Sequence, residues 1–159
     1  MADTDFILKI EGVDGECQAK GYTGAIEIDS WSWGQTNTGT MHSGGGGGGG
    51  KVSMQDFHFV KKFDKASPVI MEACSTGKHI AKAELIGRKA GGEQHVYFHW
   101  TFTDILISSF QTGASGVNPT DSISFNFGKI EMEYKEQKKD GSLGGGIKKG
   151  YDAKTQQKT

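Results

Sequence analysis

Histidine and cysteine side chains are the first candidates for chemistry in this sequence, but their spacing does not assemble a site. His95 and His99 share one face of a predicted strand. Four residues at ~3.3 Å each place them ~13 Å apart, too far for one metal ion. Cys74 and His79 flank the end of a predicted helix, and a Cys–His dyad is one interpretation of this pair. Cys74 has apolar neighbours at helical spacing, however, which is typical of a core position. We therefore predict no catalytic residue, no metal site and no cofactor.

A glycine-rich run contains part of a nucleotide-binding motif. Residues 45–51 match the start of a P-loop, G-x-x-x-x-G-K, but Val52 stands where a Ser or Thr would hold magnesium. The residues that follow have a strand pattern, whereas a P-loop leads into a helix whose N-terminus binds phosphate. Seven consecutive glycines, Gly44 to Gly50, also match many glycine motifs by composition alone. The sequence therefore does not predict a nucleotide site.

Length and composition limit the classes of protein that this chain can be. Its 159 residues suit one domain, since about 100 to 200 residues per domain is usual. No apolar run reaches the ~20 residues of a membrane-spanning helix, so we expect no membrane insertion. The formal net charge is −1, which argues against nucleic-acid binding by phosphate neutralisation. Residues 1–14 lack the basic and apolar regions of a signal peptide, so we expect synthesis in the cytoplasm without Sec export.

Strand patterns cover most of the chain. The predicted strands lie at 6–10, 26–33, 52–63, 80–89, 94–110 and 122–134. Strict alternation in the second strand would place Ile26 and Ile28 opposite Trp31, and a bulge or bend near Asp29 resolves this conflict. Gly128 marks a similar change of face in the last strand, where we predict a bulge. Several long strands with regular turns predict a mainly β, single-domain fold, either a closed barrel or a sandwich.

One short helix interrupts the strands. Ser67 and Pro68 have the types preferred at an N-cap and a first helical position, and Gly77 supplies a left-handed residue that ends the helix. The apolar residues predicted to share its buried face are Val69, Ile70, Ala73 and Cys74. A helix of two to three turns is unstable alone in water, so it must pack on the flanking strands.

Residues 34–50 have neither a strand nor a helix period. Loops of this length are uncommon within a compact domain unless they are functional or disordered. We therefore interpret this segment as the interaction element of the protein. The segment 135–159 is polar and broken by glycines, and we interpret it as a C-terminal tail in which Ile147 and Tyr151 anchor a short final strand.

Several motifs occur together and in a fixed order. They are Ser30-Trp31-Ser32-Trp33-Gly34, Gly39-Thr40-Met41-His42 at the start of the glycine-rich loop, Lys65 to Pro68, Cys74 to His79, Arg88 to Glu93, Ser108 to Gly113, and Gly150-Tyr151-Asp152. In these motifs the chain resembles the Hcp (haemolysin-coregulated protein) family, the tube proteins of type VI secretion systems. The resemblance spans nearly the whole chain.

The resemblance implies a single β-barrel domain over residues 1–159, with one short helix and an extended loop, assembled into hexameric rings. These rings would stack into the inner tube of the secretion system. A contractile sheath on a baseplate would drive the tube, tipped by a VgrG spike, out of a Gram-negative cell. The protein would itself be secreted and would carry effector proteins in its lumen. The alternative from the residues alone is a small β-barrel enzyme or ligand-binding protein.

Residues 38–51 are similar to the extended hairpin by which one ring of this family contacts the next. The residues implicated are Thr38, Gly39, Thr40, Met41, His42, Gly44, Gly47, Gly50 and Lys51. The composition of the same segment is also typical of a disordered linker. The two alternatives predict opposite results when the loop is shortened.

Ser32 is a candidate for contact with cargo. The indoles of Trp31 and Trp33 each bring ~150–250 Å² of surface, so we expect them on the core face and Ser32 on the opposite, outer face. Part of that outer wall must line the lumen of a ring, and the geometry of the family favours this wall. The competing interpretation is that Ser32 faces a neighbouring subunit or bulk solvent.

Overall fold

A computed structural model describes residues 4–39, 41, 50–89, 95–138, 140 and 142–159. The elements within them are β1 (Thr4–Ile10), β2 (Ile26–Ile28), β3 (Ser30–Ser32), β4 (Gln35–Asn37), β5 (Val52–Met54), β6 (Phe57–Lys62), α1 (Ala66–Thr76), β7 (His79–Lys89), β8 (Val96–Ala114), β9 (Pro119–Gln137), β10 (Leu143–Asp152) and β11 (Gln157–Lys158). The prediction of a mainly β fold with one short helix is confirmed.

The long hairpin of β8 and β9 is the centre of the sheet. The strands follow the order β11-β10-β9-β8-β7-β1-β2, and β9 also pairs with β6, which pairs with β3. The first half of β9 contacts β6 and the second half contacts β10. Each end of β9 therefore has a different neighbour, which makes the sheet branch.

The sheet does not close into the hydrogen-bonded barrel that we predicted. In the described part of the chain, no ladder joins β2, which pairs with β1, to β3, which pairs with β6. The two strands are instead consecutive in the chain and separated by Asp29, whose backbone N–H donates to the Val60 carbonyl at 2.8 Å. The chain thus bends from one partner to the other, as the conflict in the sequence pattern indicated. Before the bend, Ile26 and Ile28 are buried in the core, and after it Trp31 packs against the same core.

The change of face near Gly128 has a different cause from the predicted bulge. Thr103 pairs with Lys129 and Ile105 pairs with Phe127, so the register continues through this point. Both strands change face together, because Asp104, opposite Gly128, adopts a left-handed backbone with φ of 59°. The register of β8 and β9 shifts further along, between Ile107 and Ser109 on β8.

Two segments of the chain differ from their predicted organisation. The single predicted strand 52–63 divides into β5 and β6, and β5 belongs to a separate two-stranded sheet. The predicted polar tail 135–159 is largely integrated into the main sheet, since β10 pairs along β9 and β11 pairs with β10. Polar composition did not reveal this pairing because the backbone, and not the side chains, makes the ladder.

Aromatic rings fill the centre of the core. Phe57, Phe59, Phe102 and Phe125 are fully buried, and the ring of Phe57 lies 4.9 Å from that of Phe102 and 5.1 Å from that of Phe125. Trp31 contacts Trp100 edge to face, with centroids 5.0 Å apart. Such geometries stabilise aromatic pairs beyond the apolar area that they bury. The core therefore keeps β3, β6, β8 and β9 together.

The helix begins at Ala66, two residues before the predicted first helical position at Pro68, and Asp64 accepts hydrogen bonds from its first turn. The Asp64 carboxylate accepts from the Ala66 N–H at 2.9 Å, and its carbonyl accepts from the Ser67 N–H at 3.0 Å. Gly77 ends the helix in the left-handed conformation, as predicted. The buried face is rotated from the predicted one: it contains Ala66, Ser67, Ile70 and Ala73, whereas Val69 is 42% exposed and Cys74 is half-buried.

Ser67 instead belongs to a buried polar network that sequence reasoning missed. The Lys61 ammonium donates to Asp121 Oδ2 at 2.8 Å, Asp64 Oδ1 at 2.7 Å and Ser67 Oγ at 2.7 Å. The Ser67 hydroxyl donates to Asp121 as well. Lys61 and Asp121 are cross-strand partners, and neither side chain is exposed to solvent. The network joins β6, β9 and the start of α1.

We predict that Asp121→Asn destabilises the protein and reduces the loss of stability in acid. Burial would raise the pKa of Asp121, but hydrogen bonds from Lys61 and Ser67 outweigh it and hold the pKa below its usual value of 3.8. The ion pair therefore contributes fully above pH 3.8, and this contribution is lost as the pH falls through the lower, folded-state pKa. Breaking one partner of a buried pair should cost about 3 kcal/mol at pH 7.

Urea unfolding followed by tryptophan fluorescence at pH 7 and below pH 3 measures both effects. Glu72→Gln, which removes an exposed carboxylate on α1, is the control and should change neither. An Asp121→Asn variant as stable as the unmodified protein at pH 7 would contradict the prediction.

Candidate functional site

A two-stranded ribbon leaves the main sheet directly after Trp33. It consists of β4 and β5, paired from Gln35 with Met54 to Asn37 with Val52. The Trp33 indole N–H donates to the Gln55 carbonyl at 2.8 Å, and the Gln55 N–H donates to the Gly34 carbonyl at 3.0 Å. The same indole packs against Trp100 and Phe127 of the core. The base of the ribbon is thus anchored to the core.

Asn37 holds the two ends of the glycine-rich loop together. Its Oδ1 accepts from the N–H groups of Gly39, at 2.7 Å, and of Gly50, at 3.0 Å. Its Nδ2 donates to the Gly50 carbonyl at 3.0 Å. Sequence reasoning missed Asn37, although an Asn just before a loop is a usual signal for side-chain bonding to nearby backbone. The loop therefore has an ordered base.

The loop residues predicted to contact the next ring divide into two groups. Thr38, Gly39, Met41, Gly50 and Lys51 lie in the described part of the chain, at or near the end of the ribbon. Met41 is 79% exposed, which is unusual for a large apolar side chain. The others, Thr40, His42, Gly44 and Gly47, lie outside the described residues.

Ser32 is exposed on the outer face of β3, opposite the core, as predicted. Its cross-strand partner is His58, whose Nε2 lies 2.7 Å from the Ser122 hydroxyl. Ser124 pairs with His58 on the other side. Ser32 is therefore part of a wall of small hydroxyl side chains around one imidazole, which we call the hydroxyl wall.

The other candidate residues from the sequence do not belong to the ribbon or to the hydroxyl wall. Cys74 packs against the core, and its thiol makes no hydrogen bond to His79 in the described residues. His79 Nε2 instead lies 3.2 Å from Asp104, whose pKa is lowered by a hydrogen bond from Lys154. The residues after the glycine run form strand β5, not the helix that a P-loop requires. Across the described ranges, no group of His, Cys, Asp and Glu is arranged to hold a metal ion.

No helix among the residues that the structure describes is long and apolar enough to cross a membrane.

The family comparison agrees with the motifs. The family model described as "Type VI secretion system effector, Hcp" matches residues 7–134. The chain belongs to the Hcp family. Protein hcp1 of Pseudomonas aeruginosa is 44% identical over 152 residues, which cover 93% of this chain and 94% of that protein. This Hcp protein is thus a component of a type VI secretion system, from a family of secreted structural proteins.

Solved structures of this family have the same fold. One, a type VI secretion system protein, is 31% identical with a TM-score of 0.92, over 98% of this chain and 99% of that one. Hcp1 of Salmonella typhimurium is 33% identical with a TM-score of 0.85, over 99% of this Hcp chain and 100% of its own. The similarity covers the ribbon and the C-terminal strands as well as the core.

We predict that Gly50→Ala opens the base of the ribbon. A Cβ atom at this position would lie 2.3 Å from the Gly39 nitrogen and 2.5 Å from the Thr38 carbonyl carbon, and both are backbone atoms that cannot move aside alone. The two hydrogen bonds between Asn37 and Gly50 should therefore be lost, and amide hydrogen exchange in residues 35–39 and 50–54 should become faster. Gly113→Ala, which meets no atom within 4 Å, is the control. Unchanged exchange in the Gly50→Ala variant would contradict the prediction.

Proposed function

We propose that this protein forms six-membered rings that stack into the inner tube of a type VI secretion system. The observation that carries the proposal is the ribbon, which is anchored by Trp33 at its base and ends in the exposed Met41. Because β4 and β5 pair with each other and form a sheet of their own, the end of the ribbon is available to a neighbouring copy. An exposed apolar side chain on a projecting hairpin is a suitable anchor for such a contact.

In this proposal the ribbon contacts the adjacent ring through residues 38–51. The organised base set by Asn37 would lower the entropy cost of ordering the loop in the contact. The tube would be surrounded by the contractile sheath, assembled on the baseplate and tipped by the VgrG spike. Sheath contraction would drive it from the cytoplasm of a Gram-negative cell to the outside or into a target cell.

The hydroxyl wall around Ser32 would face the lumen and contact effector proteins. Small hydroxyl side chains offer hydrogen bonds without projecting into the channel, and the side chains that flank Ser32 carry no fixed charge. Six copies would repeat any change six times around the channel. This surface is therefore suited to retaining different cargo proteins weakly.

The ring and the stack can be tested separately. Multi-angle light scattering of the unmodified protein at micromolar concentration should give the mass of six subunits. Deleting three residues of the run 44–50, or replacing Met41 with Asp, should leave that mass unchanged and abolish tubes in negative-stain images and secretion into the medium. A monomeric unmodified protein would contradict the ring, and unchanged secretion of both variants would contradict the stacking role.

We predict that Ser32→Gln weakens cargo retention without affecting the ring. The longer side chain would project into the lumen six times per ring, while the exposed position leaves the core intact. Ring mass and melting temperature should stay the same, and the amount of effector that copurifies with the ring should fall several-fold. Ser75→Gln, on the exposed end of α1, is the matched control. Dissociation of the Ser32→Gln variant into monomers would assign this residue to a subunit interface instead.

A further inference from the structure

The core face of the main sheet continues beyond its cover at the end of β8, β9 and β10. There it forms a partly exposed apolar patch of Phe98, Trp100, Met132, Tyr134 and Ile147, which Glu133 and Lys149 also line. Tyr134 is 51% exposed and Ile147 is 65% exposed, and the two are register partners across β9 and β10. Contiguous exposed apolar surface of this kind marks an interaction site.

The same part of the sheet has an unpaired backbone edge. One side of β10 pairs with β9, whereas in the described residues its other side pairs with β11 only at Tyr151 and Asp152. The segment 143–149 is therefore an open edge that another chain can contact. We call β10, β11 and the apolar patch the basic flank, because the described residues from 143 to 159 contain four lysines and one carboxylate. These are Lys148, Lys149, Lys154, Lys158 and Asp152.

The opposite end of the sheet carries the opposite charge. β2, the loop before it and the bend directly after it contain five exposed carboxylates and one lysine, and we call this surface the acidic flank. Its charged residues are Glu11, Asp14, Glu16, Glu27, Asp29 and Lys20. Within the described ranges none of these five carboxylates forms an ion pair, and neither do Lys148, Lys149 and Lys158. In the strand order, β10 and β2 lie at opposite ends.

We infer that the basic flank of one copy docks on the acidic flank of the next copy within the ring. This inference rests on the proposed ring and adds which strands form its subunit contact. A contact between two different surfaces of the same chain can be repeated around a rotation axis until the ring closes. Opposite charges orient the two flanks and disfavour contacts between like flanks, while the apolar patch supplies buried area.

The apolar part of the contact is tested by Ile147→Asp. The side chain is largely exposed in the single chain, so the variant should fold normally. In the ring, a carboxylate would be forced into the apolar contact, and the concentration at which half of the rings dissociate should rise at least about tenfold. Val117→Asp is the matched control, because Val117 is 93% exposed in the turn at the other end of the β8–β9 hairpin. Equal dissociation of the Ile147→Asp variant and the unmodified protein would overturn the role of the patch.

The charge complementarity is tested by mixing two variants. One variant carries Lys148→Glu and Lys149→Glu, and the other carries Glu11→Lys and Glu27→Lys. Each alone brings like charges together at every contact and should be monomeric under conditions where the unmodified protein gives six-subunit rings. In a mixture, every contact again joins an acidic flank to a basic flank if the two variants alternate around the ring. A ring of six subunits accommodates three copies of each variant. Lys78→Glu, at the end of α1, is the control for loss of a single surface lysine.

The outcomes separate this inference from the proposed function. Recovery of the six-subunit mass only on mixing supports the contact between the two flanks. Six-subunit rings from each variant alone would overturn the contact while leaving the ring intact, and so would two monomeric variants that do not assemble on mixing. A monomeric unmodified protein would overturn the ring itself.

Discussion

The buried Lys61–Asp121 ion pair is the interaction on which the arrangement of β6, β9 and α1 depends. Removing two charges from solvent is costly unless hydrogen bonds compensate, and here the Lys61 ammonium donates to oxygens of Asp121, Asp64 and Ser67. Because the Asp64 carboxylate also accepts from the Ala66 N–H at the start of the helix, a single network links the register of β6 on β9 to the position where α1 begins. A slip of one residue would turn Lys61 to the outer face and expose Phe59.

The aromatic core that this register establishes also determines where the ribbon leaves the sheet. Trp33 packs against Trp100 on one side and bonds to the Gln55 carbonyl on the other, so the ribbon starts from a position fixed by the core. Asn37 then closes the base of the loop. The ribbon is thus firmly held at its origin and separate from the main sheet at its end. This combination suits an element that must reach a neighbour in a defined direction.

The branch of the sheet at β9 gives the molecule two different flanks. β10 pairs with the second half of β9 and keeps one free edge, whereas β2 lies at the other end of the strand order, before the bend at Asp29. In the proposed ring, the edge of β10 with its exposed Ile147 would meet the carboxylates around β2. The branch at β9 is therefore what provides two unlike surfaces for assembly.

Features that depend on residues close together in the chain were predictable from the sequence. Alternation predicted most of the strands, the bend at Asp29 and the outward position of Ser32, glycine chemistry predicted the helix end at Gly77, and the ordered motifs indicated the family. Contacts across the sheet were not predictable in this way, because they join residues that are far apart in the chain. Lys61 is in phase with the buried phenylalanines of β6, but its burial requires a carboxylate 60 residues away, Asp121, which no local pattern identifies. The separation of β5 from β6 and the pairing of the polar C-terminal segment depend in the same way on backbone partners that are remote in the chain.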